Sequence, residues 1–491
     1  MKLADLINGF EYEIVSGNTD TEREISEVVY DSRKICEGCL FVCIKGTNFD
    51  GHSAVSDAVS KKAAAVLVEQ DVKTGDSDIA VIKVASTRYA MAYVAAAYYN
   101  HPAEKLTTIG ITGTKGKTTT TYMVKSILQN AGHKVGLIGT IETIIGDKTI
   151  PSKNTTPESY VLQQYLADMV KEGIDTVVME VSSQGLMLHR TQGFVFDYGI
   201  FTNIEPDHIS PTEHSSFENY MECKSMLFRQ CKVGIVNGDD AHVKDIVKDH
   251  TCSLLYYGMQ EGLDYSATDI RLTRKNGSIG VDFHVSGKMD VEVAVPTPGK
   301  FSVYNALTAV AICDQFGAKP DDVKNALKDV SVKGRIELVK VSDKFALMID
   351  YAHNAMALES LLSTLKEYNP HRLVCVFGCG GNRSRDRRFE MGEVSGRLAD
   401  FTIITSDNPR FEKPLDIMAD IVTGIEKTDG VYITIADRKE AIRYAISHGE
   451  PGDIIVLAGK GHEDYQEIEG VKHPMDERVL IKEVLEELGR E

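Results

Sequence analysis

The 491-residue sequence predicts an α/β protein of three domains built on mostly parallel sheets. Three observations carry this expectation. Apolar β-rich runs alternate with helical ones through most of the chain, as in "LTTIGIT" before "TTTTYMVKSILQNAG", or "RLVCVFG", "DFTIITS" and "DIIVLAG" further on. The length exceeds what one hydrophobic core commonly organises. A glycine-rich turn, "GITGTKGKTTTTYMV" at 110–124, joins a strand-like run to a helical one. Parallel sheets bind anions at such junctions.

Taken in order, "LFVCI" and "AAAVLV" read as strands around a short helix, with "KGTNFDGH" as a loop. This small α/β domain ends after the apolar helix in "MAYVAAAYYNHPAEKL", near His101-Pro102. In the next helix Met123, Ile127 and Ala131 fall four apart, as do Val124 and Leu128, and Gly132 suits a C-terminal cap. Further strands are expected in "TVVMEVSS", "YGIFTNI" and "VGIVNGD". "SIGVDFHVSG" and "MDVEVAVPTPG" read as a hairpin insert, and "FSVYNALTAVAICDQFG" as an amphipathic helix opened near Asn305. "FALMIDYA", "RLVCVFG", "DFTIITS", "VYITIA" and "DIIVLAG" form a last parallel sheet. The expected domains are 1–104, 105–332 and 333–491.

Composition narrows the function classes. A hydrophobic fraction of 43% and a charged fraction of 26% are ordinary for globular protein. No run is apolar enough to span a bilayer, and "MKLADLINGFEYE" turns acidic too soon for a signal peptide. A cytoplasmic protein with no membrane partner is expected. The net charge of −18 argues against nucleic-acid binding, the run Arg383–Arg388 being the main basic exception. Nine cysteines include a C-x-x-C at Cys36 and Cys39 with Cys43 nearby, but no second pair follows at zinc spacing. Reduced, mostly buried thiols are expected.

The glycine turn departs from the common G-x-x-x-x-G-K-[ST] loop, since Ile111 stands where the first glycine belongs. The mechanical requirement is still met: strand, tight turn, Gly-Lys-Thr, helix. Gly113 and Gly116 flank the turn around Thr114 and Lys115, Lys117 is expected on terminal phosphates, and the Thr118 hydroxyl on Mg²⁺, with Thr119 following.

"GTKGKTT" resembles the loop of the Mur ligase family, ATP-dependent amide-forming enzymes of peptidoglycan assembly. "NTTPES", "MEVSSQGL", "NIEPDHIS", "YMECKSMLF", "YNA", "GRIE", "DYAHN", "DNPR" and "GKGHEDYQ" follow in the family's order. The resemblance covers nearly the whole chain and is nearest to members that add the third amino acid. It implies a three-domain architecture with a phosphate-loop central sheet and a Rossmann-like C-terminal domain. It also implies a monomer acting on small molecules: ATP, a UDP-N-acetylmuramoyl dipeptide and an amino acid.

The same resemblance implies site residues. Glu180, His208 and Lys224, with Thr118, are expected around magnesium, Lys224 as a CO₂-derived carbamate. Lys117 and Arg335 complete the expected catalytic set. Asn305, Arg335, Asp350 and His353 are expected on the nucleotide. Tyr30, Ser32, Thr47, Asn48 and Phe49 are expected on the UDP portion; Asn154, Thr155, Thr156, Ser182 and Arg190 on the sugar-peptide. Gln184 and Leu188 depart from the family's pattern there. The third amino acid is diaminopimelate or L-lysine, which differ by a distal carboxylate. Arg410, in Asp407-Asn408-Pro409-Arg410, with Arg383, Gly459 and Glu463, favours diaminopimelate, an arginine for the carboxylate and an acid for the ammonium. Another amide ligase, such as a folylpolyglutamate synthetase, is the nearest alternative. "GCGG" at 378–381 lacks the third glycine of a dinucleotide fingerprint.

Overall fold

A computed structural model describes residues 1–46, 49–210, 213–275 and 277–489. The chain forms two compact units, Met1–Tyr257 and Gly258–Glu491.

The first unit carries two sheets. A five-stranded sheet runs in the order Glu13–Ser16, Ala80–Lys83, Ala65–Val68, Leu40–Val42, Val28–Val29. Only its first pair is antiparallel. Leu40, Leu67 and Ile82 point into one core with Met91 and Val94 of the helix Thr87–Tyr98. In the second sheet Ser253–Gly258, Cys231–Asn237, Phe196–Phe201, Thr107–Thr112, Thr176–Glu180 and Val135–Ile138 are neighbours in that order, all parallel. An antiparallel hairpin, Glu142–Ile145 with Lys148–Pro151, extends the far edge. The alternation does not predict that hairpin; the Gly146-Asp147 dipeptide at its turn, where Gly146 takes φ of 57°, is the sequence signal for it.

The second unit opens with the antiparallel strands Tyr265–Lys275, Ser278–Gly287 and Val291–Val295. The expected hairpin is present, with one more strand than the sequence reading found. The helix Lys300–Asp314 packs against these strands. It is not amphipathic as expected: every residue from Val303 to Cys313 except Tyr304 is buried, so both faces are covered. Nor does Asn305 open it, because the helix begins at Lys300 and Asn305 lies in its second turn.

The final sheet has the order Glu337–Val339, Ala346–Asp350, Ile454–Ala458, Leu373–Phe377, Phe401–Ile404, Tyr432–Thr434. All pairs except the first are parallel. The four central strands are buried on both faces, which is why they read as continuous apolar runs. Among the described residues no helix is long and apolar enough to cross a membrane. All nine cysteines are free thiols, and all but Cys36 are buried.

Candidate functional site

The phosphate loop leaves the strand Thr107–Thr112 and enters the helix Lys117–Asn130. Ile111 is the last but one residue of that strand, wholly buried and in register with Glu180 and Ile200 on its two neighbours. The missing glycine is therefore a core position, and the curl of the loop begins two residues later. There Gly113 has φ of 149°, and a Cβ on it would lie 1.9 Å from Thr202 Oγ1. The helix behind the loop follows expectation: Met123, Val124, Ile127 and Leu128 are buried, and Gly132, at φ of 95°, closes it.

Residues the sequence reading did not assign brace this loop. Asn203 accepts from the Lys115 amide at 2.9 Å and donates to its carbonyl at 3.1 Å. Lys115 Nζ pairs with Glu205 at 2.6 Å. Both partners belong to "NIEPDHIS", a motif quoted for its histidine alone. Lys117 folds back to donate to the Gly113 and Thr114 carbonyls at 2.7 and 3.0 Å.

Glu180 ends the strand Thr176–Glu180 and is 1% exposed. Thr118 Oγ1 donates at 3.0 Å to its carboxylate, as do the Thr140 amide at 2.7 Å and the Thr140 hydroxyl at 3.0 Å. Thr140 Oγ1 also lies 3.1 Å from Thr155 Oγ1. Thr156 ties in through the Glu180 carbonyl and Ser182, and Ser182 caps the helix Ser183–Met187. These expected residues do converge.

Lys224 is 1% exposed on the helix Phe217–Ser225, not a surface lysine. It donates to the Gly113 carbonyl at 2.8 Å and lies 4.5 Å from the Tyr220 ring centroid. Burial, reinforced by the neighbouring Lys117 charge, pushes its ammonium well below its usual range. Tyr220, also missed, bonds Thr114 through its hydroxyl at 3.1 Å and packs its ring, tilted, against those of His208 and the fully buried His214. His208 itself is exposed, with φ of 56° and Nδ1 3.1 Å from Glu213. Its carboxylate partners are Asp207 and Glu213, not Glu180. Among the described residues no three His, Cys, Asp or Glu side chains converge into a metal cage.

A second cavity of about 260 Å³ is lined by Tyr30, Phe49, Arg88, Glu158, Tyr160 and Leu188, among others. Glu158 pairs with Arg190 at 2.5 Å and with Arg88 at 3.1 Å. Tyr30 packs against Tyr160 with the rings tilted at 54° and 5.6 Å between centroids. Ser32 is half-buried beside an Asp31–Arg33 pair, and Asn154 is exposed. Thr47 and Asn48 lie outside the described residues.

In the second unit, the C-terminal ends of parallel strands gather the remaining candidates. Asp350 accepts from the Ile336 and Ala352 amides at 2.8 and 2.9 Å. Tyr351 lies beneath Arg335, 4.8 Å from ring centroid to guanidinium, and contacts the rings of His353 and His462. Asn305 is buried in its helix. Asp407, Asn408 and Pro409 follow the strand Phe401–Ile404, and Gly459 follows Ile454–Ala458. Arg410, at φ of 51°, donates to Glu467 at 3.2 Å and to the Gly381 carbonyl at 2.7 Å. Gly381 is the residue that lets the two loops meet: a Cβ there would fall 1.9 Å from the Pro409 carbonyl oxygen. "GCGG" therefore serves close packing against "DNPR". Asn408 donates to Glu463 at 2.8 Å, while Arg383 is exposed. Asn408 thereby ties the loop that carries Arg410 to Glu463.

Three family profiles match the chain: "Mur ligase family, catalytic domain" over 24–106, "Mur ligase middle domain" over 111–313, and "Mur ligase, glutamate ligase domain" over 334–461. A UDP-N-acetylmuramoyl-L-alanyl-D-glutamate–2,6-diaminopimelate ligase of Caldanaerobacter subterraneus subsp. tengcongensis is 45% identical, with 99% of each chain covered. One of the same name from Clostridium acetobutylicum is 44% identical over 99% of this chain and all of that one. A solved structure of a ligase so named superposes with a TM-score of 0.73 at 28% identity, covering both chains completely.

Proposed function

The chain belongs to the Mur ligase family, and on that premise we propose that it adds meso-diaminopimelate to UDP-N-acetylmuramoyl-L-alanyl-D-glutamate with cleavage of ATP. The observation that carries the choice of amino acid is that Asn408, two residues before Arg410, is hydrogen-bonded to Glu463, which sets a cation for the distal carboxylate and an anion for the distal ammonium on tied loops. Full-length similarity to ligases named for diaminopimelate supports the same choice.

A carboxylate is a poor electrophile, so the peptide carboxylate first takes the γ-phosphoryl group of ATP, giving an acyl phosphate and ADP. The amine of the incoming amino acid then attacks the acyl carbon. The tetrahedral intermediate expels phosphate, and the amine loses a proton as the amide forms. Most of the catalytic burden is positioning and charge stabilisation. The loop 113–119 supplies amides and Lys117 for the phosphates. Arg335 is assigned to charge on the transferring group, and Asn305, Asp350 and His353 to the nucleotide. Tyr30, Ser32, Phe49, Thr155, Thr156, Ser182 and Arg190 are assigned to the nucleotide-sugar peptide, around the cavity that Arg88 and Glu158 line.

Magnesium fits the hard oxygen set of Thr118 Oγ1 and the Glu180 carboxylate, with His208 a further candidate. When bound it supplies positive charge against phosphate oxygens. Lys224 fits a carbamate: an amine held neutral by burial can add CO₂, releasing one proton and leaving an anionic carboxylate. A cytoplasmic monomer of segments 1–104, 105–332 and 333–491 completes the proposal.

The test is ATP-dependent phosphate release with the UDP-muramoyl dipeptide and a panel of acceptors. Meso-diaminopimelate is expected to be used at least about 10³-fold better than L-lysine, because loss of the carboxylate leaves the buried polar groups unpaired. Lysine as the better acceptor would overturn the choice, and release independent of any acceptor would overturn the ligase reading.

A further inference from the structure

The proposed amino-acid residues rest on a cation that no assignment above uses. Lys460 lies between Gly459 and Gly461 and its side chain is completely buried. A buried ammonium is tolerated only where acceptors surround it. Its Nζ donates to Glu463 Oε2 at 2.8 Å, to Asn408 Oδ1 at 3.0 Å and to the Tyr465 carbonyl at 2.5 Å. Asp407 Oδ1 stands at 4.0 Å. The three donors of the ammonium thus have three acceptors.

The consequence for Asn408 is directional. Its Oδ1 receives two donors, Lys460 Nζ and the Glu467 amide at 2.9 Å. Its amide nitrogen must then face the other way, and it donates to Glu463 Oε2 at 2.8 Å. One oxygen of Glu463 therefore takes both inward donors, leaving Oε1 for a ligand cation. We propose that Lys460 is a positioning residue for the amino-acid substrate, fixing the amide orientation of Asn408 and the ionised, outward-facing state of Glu463. This inference rests on the amino-acid assignment made above and deepens it. Lys460 itself meets no substrate; it acts through two residues that do.

Electrostatics agree with the geometry. Burial raises the Glu463 carboxyl, but the charge and hydrogen bond of Lys460, with the Asn408 bond, outweigh it and hold the group below its usual value. The other groups facing this corner are Asp407, Tyr351 and Tyr465, with Arg335 behind His462. Burial, then Arg335, pushes His462 down to about 4, so it stays neutral through the working range. Lys460 is then the full positive charge in hydrogen-bond contact with Glu463.

The experiment is Lys460→Met in the full chain, with steady-state kinetics for each substrate at pH 8 and pH 6. The KM for diaminopimelate is expected to rise about ten- to a hundredfold at pH 8, the scale of a lost charge-assisted network. It should rise further at pH 6, where Glu463 without its partner takes up a proton; the unaltered chain should show no such acid limb. KM for ATP should stay within about twofold. If the methionine variant does not fold, Lys460→Gln keeps a donor without the charge and should show the same acid limb with a smaller rise. An unchanged KM for diaminopimelate, or an equal rise for ATP, would overturn the inference. An unaltered chain that does not use diaminopimelate at all would instead sink the functional reading, so the two failures are separable.

Discussion

The phosphate loop and the proposed amino-acid pocket both sit at the carboxyl ends of parallel strands, yet they are made of opposite materials. The loop is mainly backbone: residues 113–119 are consecutive, and what they offer a phosphate is amide hydrogens at the start of a helix. Side chains from elsewhere, such as Asn203, only brace it. The amino-acid pocket is mainly side chains from three separated loops, around Gly381, Asp407–Arg410 and Gly459–Glu467. There Arg410 and Asn408 are set by partners distant in sequence, Gly381, Glu463 and Glu467. The lesson is one of fragility: the loop should fail through shape, the pocket through charge.

The largest effect tests shape. Gly113→Ala should lower ATP-dependent phosphate release by at least about 10²-fold, since the new Cβ meets Thr202 Oγ1 at 1.9 Å in a conformation that disfavours side chains. Adding Thr202→Ala should recover part of the loss. Gly132→Ala, with positive φ but open space around it, is the control: about 1 kcal/mol of stability lost and kinetics unchanged. Equal damage from both glycines would remove the distinction.

Next comes charge. Arg410→Ala should raise KM for diaminopimelate by about ten- to a hundredfold and leave KM for ATP alone. Its contacts with Glu467 and the Gly381 carbonyl also hold the loop, so Arg410→Lys is the sharper probe. Lysine keeps the charge but loses the fork, and should restore only a minor part. A full rescue by lysine would show that geometry matters less here than charge.

The smallest effect concerns Lys224, where the two regimes meet, a buried charge-bearing group on the backbone of the loop. Its folded-state pKa lies well below the ordinary 10.5, so the unfolded chain binds a proton that the folded chain does not. Stability should therefore rise with pH up to about 10.5. In CO₂-depleted buffer, Lys224→Met should raise Tm by about 2–4 °C at pH 7, with the gap closing toward pH 10. Calorimetry across that range decides it, and a methionine variant less stable at pH 7 would mean the ammonium is well solvated by its partners.

How much of this was legible beforehand follows from the same contrast. Period and spacing identified the alternating strands and helices, the phosphate loop and its helix face, because those depend on neighbours one to four residues away. The hairpin at Glu142–Pro151 and the strand Tyr265–Lys275 escaped, being short or half-polar segments whose pairing is non-local. The helix Lys300–Asp314 was misjudged because a sequence shows apolar residues but not how many sides are covered.

The sites divide likewise. Motif order alone placed this chain in its family and pointed to Lys117, Glu180 and Arg410, since residue type and local spacing suffice to mark a loop or a strand end. Only the tertiary structure decided that Ile111 belongs to the core, that Lys224 is buried against Gly113, and that Asn203, Tyr220 and Lys460 hold the assigned residues in place. Burial and hydrogen-bond partnership are properties of distant segments brought together, and no local pattern encodes them.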